Sequence, residues 1–224
     1  MPFFIIMYLL IIHEIGHFVT AFLFGVSVDK ICIYPFGGIS KFDMDFNINQ
    51  WIEFIILIMG PLMQCVAYFI LIKIDFMYSY ISMIKVYHYG ILFFNLLPIY
   101  PLDGGKLLNI VLSLKFSFKN SLLLSIFISY LIVFIMLFLY FKDISINIIV
   151  VVLFLIYKIT FEYRRINYFY EKFLLERYLN NYVFYNHLIV DDINKFHRNR
   201  GHLIKSNDKY YTEKQILQKK YKKY

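Results

Sequence analysis

With 224 residues, 60% of them hydrophobic and only 17% charged, the chain is too apolar for an ordinary water-soluble domain, and its mean hydropathy of +0.62 says the same. Its formal net charge of +8 is uneven: residues 162–224 carry 14 Lys/Arg against 7 Asp/Glu, which leaves 9 against 8 for the first 161 residues. These figures exclude a soluble enzyme core. They point to a polytopic membrane protein whose basic tail lies near an anionic membrane surface or an acidic partner, and no recognised nucleic-acid motif carries the basic residues.

The first apolar run, about Phe3–Phe24, begins at once after Met1, with no basic leader region or small-residue cleavage site, so no cleavable signal peptide is expected. Within it the only acidic or basic side chains are His13, Glu14 and His17, spaced H-E-x-x-H. Histidines at i and i+4 share one helix face, one turn apart, and can reach one metal ion. The glutamate beside them can take a proton from a metal-bound water, which is the arrangement of zinc-dependent hydrolases. A charged group at mid-membrane costs roughly 2.5–3.5 kcal/mol on insertion scales, so such a cluster calls for a function.

After Gly25, residues 26–50 mix β-formers with turn residues. Pro35-Phe36-Gly37-Gly38 suggests a short membrane-dipping β-hairpin with its tight turn at Gly37-Gly38, and Asp43, Asp45 and Asn47 read as a solvated loop. A second span, about Trp51–Ile72, holds Gly60-Pro61 at its middle, where a packing kink is expected. A third span, about Ile81–Leu97, runs into the segment from Asn95 through Pro98 and Pro101 to Asp103-Gly104-Gly105, which reads as non-helical and polar at membrane depth. Spans four and five fall at about Leu122–Phe141 and Ile144–Phe161. An amphipathic juxtamembrane helix follows around Tyr168–Tyr178, and then a small soluble segment too short for a robust core of its own. Cys32 and Cys65 stand alone, without C-x-x-C spacing, and His88, His187, His197 and His202 lack ligand spacing. The expected fold is therefore an all-α polytopic membrane protein of about five transmembrane helices. Residues 1–161 form its transmembrane domain, and 162–224 its basic cytosolic helix and tail. With the basic loop of Lys106, Lys115 and Lys119 and the tail inside, the positive-inside rule places His17 and Asp103 toward the cytosol.

A catalytic zinc takes three protein ligands and a water. The extended metzincin motif is absent, since Thr20 and Leu23 occupy its Gly and His positions. Glu53 is a gluzincin-type candidate for the third ligand. Asp103 is better placed, because it lies in an irregular segment able to reach a neighbouring helix.

The pairing of His13-Glu14-Ile15-Gly16-His17 with Asn95-x-x-Pro98-x-x-Pro101-Leu102-Asp103-Gly104-Gly105 resembles the site-2 protease family of intramembrane zinc proteases, and within it the sporulation branch that processes pro-sigma-K. Pro35-Phe36-Gly37-Gly38, Gly60-Pro61-Leu62 and the stretch Phe173–Tyr178 match as well. The resemblance implies one catalytic Zn2+ held by His13, His17 and Asp103, with Glu14 as general base. Asn95, Pro98 and Pro101 would help hold an extended substrate backbone. It implies hydrolysis of a peptide bond in or near a membrane segment of a protein substrate, a pro-sigma factor in sporulation, on the mother-cell side of the forespore outer membrane. Inhibitory membrane partner proteins and a homo-oligomer are further implied. Residues 187–217 faintly resemble a single abbreviated CBS module, which leaves room for ATP binding by the tail. The sporulation members carry one more span before the zinc-bearing one, whereas this chain starts twelve residues before His13. The rival reading is a non-catalytic metal transporter or protease-like scaffold, against which stands the lack of an inverted repeat.

Overall fold

A computed structural model describes residues 2–26, 30–34, 37–41, 46–139, 145–206 and 209–222, and for 30–41 and 206 it describes the backbone alone. The chain divides into two compact units, one of residues 1–44 and 50–97 and the other of 45–49 and 98–224.

The first unit is built on three helices: α1 (Pro2–Leu23), α2 (Gln50–Leu71) and α3 (Ile81–Leu96), with a 3-10 turn over Asp75–Tyr80 before α3. Ile5 and Leu9 of α1, Ala67, Tyr68 and Leu71 of α2 and Ile84 of α3 form a buried core cluster. The strands β1 (Lys30–Tyr34) and β2 (Gly37–Lys41) pair as the expected antiparallel hairpin, with Tyr34 opposite Gly37 and Ile33 opposite Gly38. Gly37 and Gly38 are therefore strand residues and not the turn. The two residues between the strands, Pro35 and Phe36, lie outside the described residues, as do Asp43 and Asp45 of the expected loop.

The second unit contains α4 (Asp103–Ser113), α5 (Phe118–Leu139), α6 (Ile146–Leu179), α7 (Glu213–Tyr221) and a three-stranded sheet of β3 (His187–Val190), β4 (Gly201–Ser206) and β5 (Lys209–Thr212). The sheet order is β3-β4-β5, with β3 and β4 parallel and β4 and β5 antiparallel. Phe118, Phe173 and Phe196 are fully buried, and the rings of Phe118 and Phe173 stack at 4.4 Å. The tail is thus folded against the end of α6. Thr212 starts α7 with a reciprocal capping box to Gln215.

Among the described residues four helices, α1, α2, α5 and α6, are long and apolar enough to cross a membrane, and less than half of each apolar window is buried by protein. The remaining apolar surface suits lipid contact. At 16 residues α3 is about 24 Å long by its 1.5 Å rise, short of the ~30 Å hydrocarbon core. The fifth expected span and the juxtamembrane helix are one continuous helix, α6. Its 34 residues contain no glycine or proline, so the change from apolar to charged sequence near Glu162 does not interrupt it.

Candidate metal centre of the first unit

α1 and α2 pack through glycines. A Cβ on Gly16 would stand 2.5 Å from the Met59 carbonyl oxygen, and one on Gly60 would stand 2.2 Å from Nε2 of His17. Gly60 therefore does more than allow a kink: it is the floor on which the His17 ring lies. Pro61 lies within α2 and donates no backbone bond of its own.

His13 and His17 are both buried, 2% and 3% exposed, and their rings meet edge to face. The hydrogen bonds fix their tautomers. His17 Nδ1 lies 2.8 Å from the Ile56 carbonyl oxygen, which can only accept, so Nδ1 carries the proton. His13 Nδ1 lies 3.2 Å from Oε1 of Gln64. The Gln64 amide is oriented from its other end, where Nε2 donates to the His88 carbonyl oxygen at 3.0 Å. Oε1 thus faces His13, whose Nδ1 must donate as well. With both protons on Nδ1, the two Nε2 lone pairs face each other at 3.2 Å. Two nitrogen ligands at ~2.0–2.1 Å around a tetrahedral zinc stand about 3.3 Å apart. The pair thus has the separation and the tautomers of two zinc ligands, and a dication between them would serve both lone pairs.

Glu14 follows His13 on α1 and is half-buried. Asn95 lies on α3, one residue before its end, and is half-buried. Glu53 is in the first turn of α2.

In the second unit Asp103 is the first residue of α4 and is buried. The helix N-terminus favours its carboxylate, and Lys106 Nζ lies 3.7 Å from Oδ1 one turn on. The sequence expectation of a non-helical Asp103-Gly104-Gly105 is corrected here. Gly104 and Gly105 form the first turn of a helix, because the backbone of Ile99 and Tyr100 packs onto Gly105. A Cβ there would stand 2.3 Å from Ile99 C and Tyr100 N. Pro98 is exposed and Pro101 half-buried, on the irregular stretch leading to α4. α5 steadies this stretch: Ser129 Oγ accepts the Tyr100 N–H at 2.8 Å while giving its own proton to the Ser125 carbonyl, and Asn109 of α4 donates to Ser125 Oγ at 3.0 Å.

Residues 1–80 match the profile of Peptidase family M50. Stage IV sporulation protein FB of Bacillus subtilis is 31% identical over 176 residues, covering 76% of this chain and 61% of that protein. A zinc metalloprotease of Methanocaldococcus jannaschii is 30% identical over 122 residues, covering 50% of this chain and 34% of the relative. Among solved structures, the site-2 protease from the same archaeon aligns with a TM-score of 0.55 at 26% identity, covering 70% of this chain and 74% of that one.

Residues 1–80 carry the Peptidase family M50 signature, and the chain resembles the site-2 proteases.

It spans about three fifths of the Bacillus relative and a third of the archaeal metalloprotease. The M50 match runs from α1 through the hairpin and all of α2 to the 3-10 turn before α3, the part that holds the His13–His17 pair. Sequence reasoning missed Gln64 and gave Gly60 only a kink. A lone amide inside an apolar span was the available signal, since it must find partners within the protein. His88, which lacks ligand spacing in the sequence, is packed: its ring stacks on Tyr68 at 4.2 Å.

Proposed function

We propose that the chain is an intramembrane zinc metalloprotease in which His13, His17 and Asp103 hold one zinc ion and Glu14 is the general base. The observation that carries this is the His13–His17 pair, with both Nδ1 protons committed and the Nε2 atoms 3.2 Å apart. Asp103, a buried carboxylate in the family's sequence context, supplies the anionic third ligand. Two neutral imidazoles and one carboxylate are the donor set of a catalytic rather than a structural zinc.

Zinc, when bound, supplies a Lewis acid that draws the pKa of water toward ~7 and polarises the scissile carbonyl. The remaining steps belong to the chain. Glu14 takes the proton of the attacking water on its carboxylate and delivers it to the leaving amine nitrogen. A helical substrate hides its backbone in i to i−4 bonds and must unwind before attack. Asn95 and the Pro98–Pro101 stretch hold the unwound strand through backbone contacts. The likeness to a sporulation protein supports a membrane-associated pro-sigma factor as substrate.

The site faces the cytosol, a reading supported by the basic loop of Lys106, Lys115 and Lys119 and by the basic tail. In a chain lacking Cys32 and Cys65, single cysteines at Lys115 and Lys209, both exposed, should react with an impermeant reagent only from the cytosolic side. Labelling from outside overturns the orientation.

Co-expression with a candidate pro-sigma factor tests the activity. The wild type should cleave it and Glu14→Gln should not, although both purify with zinc. A wild type that holds zinc and cleaves no membrane substrate supports a transporter or scaffold instead.

A further inference from the structure

We propose that Gln64 is the positioning residue of the metal centre, a side chain that sets the protonation of His13 without touching the ion. The inference rests on the reading of His13 and His17 as metal ligands. Gln64 is fully buried on α2, in an apolar helix where an amide without partners is costly. Its two ends do different work. Nε2 donates to the His88 carbonyl oxygen at 3.0 Å, and a second, longer approach of 3.4 Å reaches His88 Nδ1. That end anchors the amide to α3. Oε1 then faces His13 Nδ1 at 3.2 Å and can only accept.

His13 has two neutral tautomers, and only the Nδ1–H form presents a lone pair at Nε2, the atom that faces His17. With an apolar residue at position 64 the Nδ1 proton loses this acceptor, and part of the population carries its proton at Nε2, where it opposes a cation. His17 is secured separately by the Ile56 carbonyl, a backbone group that no side-chain substitution removes. Gln64 is therefore a side-chain support of the pair that substitution can remove. His88 has a matching role: stacked on Tyr68 and buried, it holds the carbonyl that orients the amide. Hydrogen-bond partners behind a metal-bound histidine are commonly worth 10- to 100-fold in affinity, roughly the range expected here.

The test uses the purified full chain in detergent, with zinc affinity read by chelator competition and the His13 tautomer by imidazole 15N shifts of the metal-free protein. Gln64→Leu keeps the volume and removes the acceptor. Its zinc affinity should fall about 10- to 100-fold, with His13 shifting toward a tautomer mixture while His17 stays unchanged. Gln64→Glu, protonated in its apolar site, can still accept from His13 and donate to the His88 carbonyl. It should restore both readouts to within a few-fold of wild type, even if both variants melt somewhat earlier. The proposal is overturned if Gln64→Leu binds zinc like wild type with His13 unchanged, or if Gln64→Glu is as impaired as Gln64→Leu. Failure of the underlying site looks different: His13→Ala would then bind zinc as tightly as wild type.

Discussion

His17 lies on Gly60, and a single methyl group at that glycine would overlap its ring, with Cβ 2.2 Å from Nε2. Gly60→Ala should therefore displace the imidazole or part α1 from α2, at about 1–3 kcal/mol of overpacking. Zinc affinity and the thermal midpoint should both fall. Gly90→Ala is the control, since a Cβ there meets nothing within 4 Å. Chelator competition and thermal unfolding of the two purified variants check the contrast.

Gly105 plays the equivalent part in the second unit. Its substitution by alanine would press on the backbone of Ile99 and Tyr100, which has no flexible side chain to yield. Gly105→Ala should disturb the start of α4, including Asp103, and the stretch proposed to hold substrate. Lower zinc content together with lower cleavage is expected, whereas Ser129→Ala should lower cleavage more than zinc content, because it frees only the Tyr100 N–H.

Much of this was readable before the structure. The H-E-x-x-H motif in an apolar run located α1 and its two histidines, and periodicity and length located the long helices. What could not be read depends on what the chain meets elsewhere. Gly104-Gly105 looks like a helix breaker until the backbone of Ile99–Tyr100 is seen to need the space. Gln64 looks like a stray amide until His88 and His13 are found at its two ends. The tail looked too short for a core of its own, and its length alone does not show that a side chain 130 residues away joins it: Arg177 Nε donates to Asn47 Oδ1 at 2.7 Å.

That arginine is the centre of the tail. Its other donors reach the carbonyls of His197, Arg198 and Arg200 and the Glu213 carboxylate, so all five N–H groups have acceptors. Neighbouring Glu176 accepts from the Phe46 N–H at 2.7 Å. Arg177→Lys keeps the charge but cannot serve this fork. Loss of one partner from a buried charged network costs about 3–5 kcal/mol. Limited proteolysis should show residues 180–222 opening in Arg177→Lys under conditions where the wild-type tail resists. An equally resistant variant would mean that the apolar contacts alone hold the tail.

The same cluster gives the tail a pH dependence. Burial lowers the pKa of His202 below its usual value, against the opposing influence of Glu213. Its Nε2 accepts the His197 N–H at 2.9 Å, a bond that protonation removes. A histidine that is harder to protonate when folded binds fewer protons than in the unfolded chain. Its contribution is complete above the unfolded pKa of ~6.5 and is lost as pH falls from there through the lower folded value. Tail protection from proteolysis or hydrogen exchange should thus be flat above neutrality and decline on acidification. In His202→Gln the step that belongs to this residue should disappear.

The most direct measurement is zinc per chain in four purified proteins: wild type, Glu14→Gln, Asp103→Asn and Glu53→Gln. One zinc per chain is expected in the wild type, in Glu14→Gln and in Glu53→Gln, with a marked loss in Asp103→Asn alone. Zinc retained by Asp103→Asn and lost from Glu53→Gln, or lost from Glu14→Gln, would contradict the assignment of ligands and base.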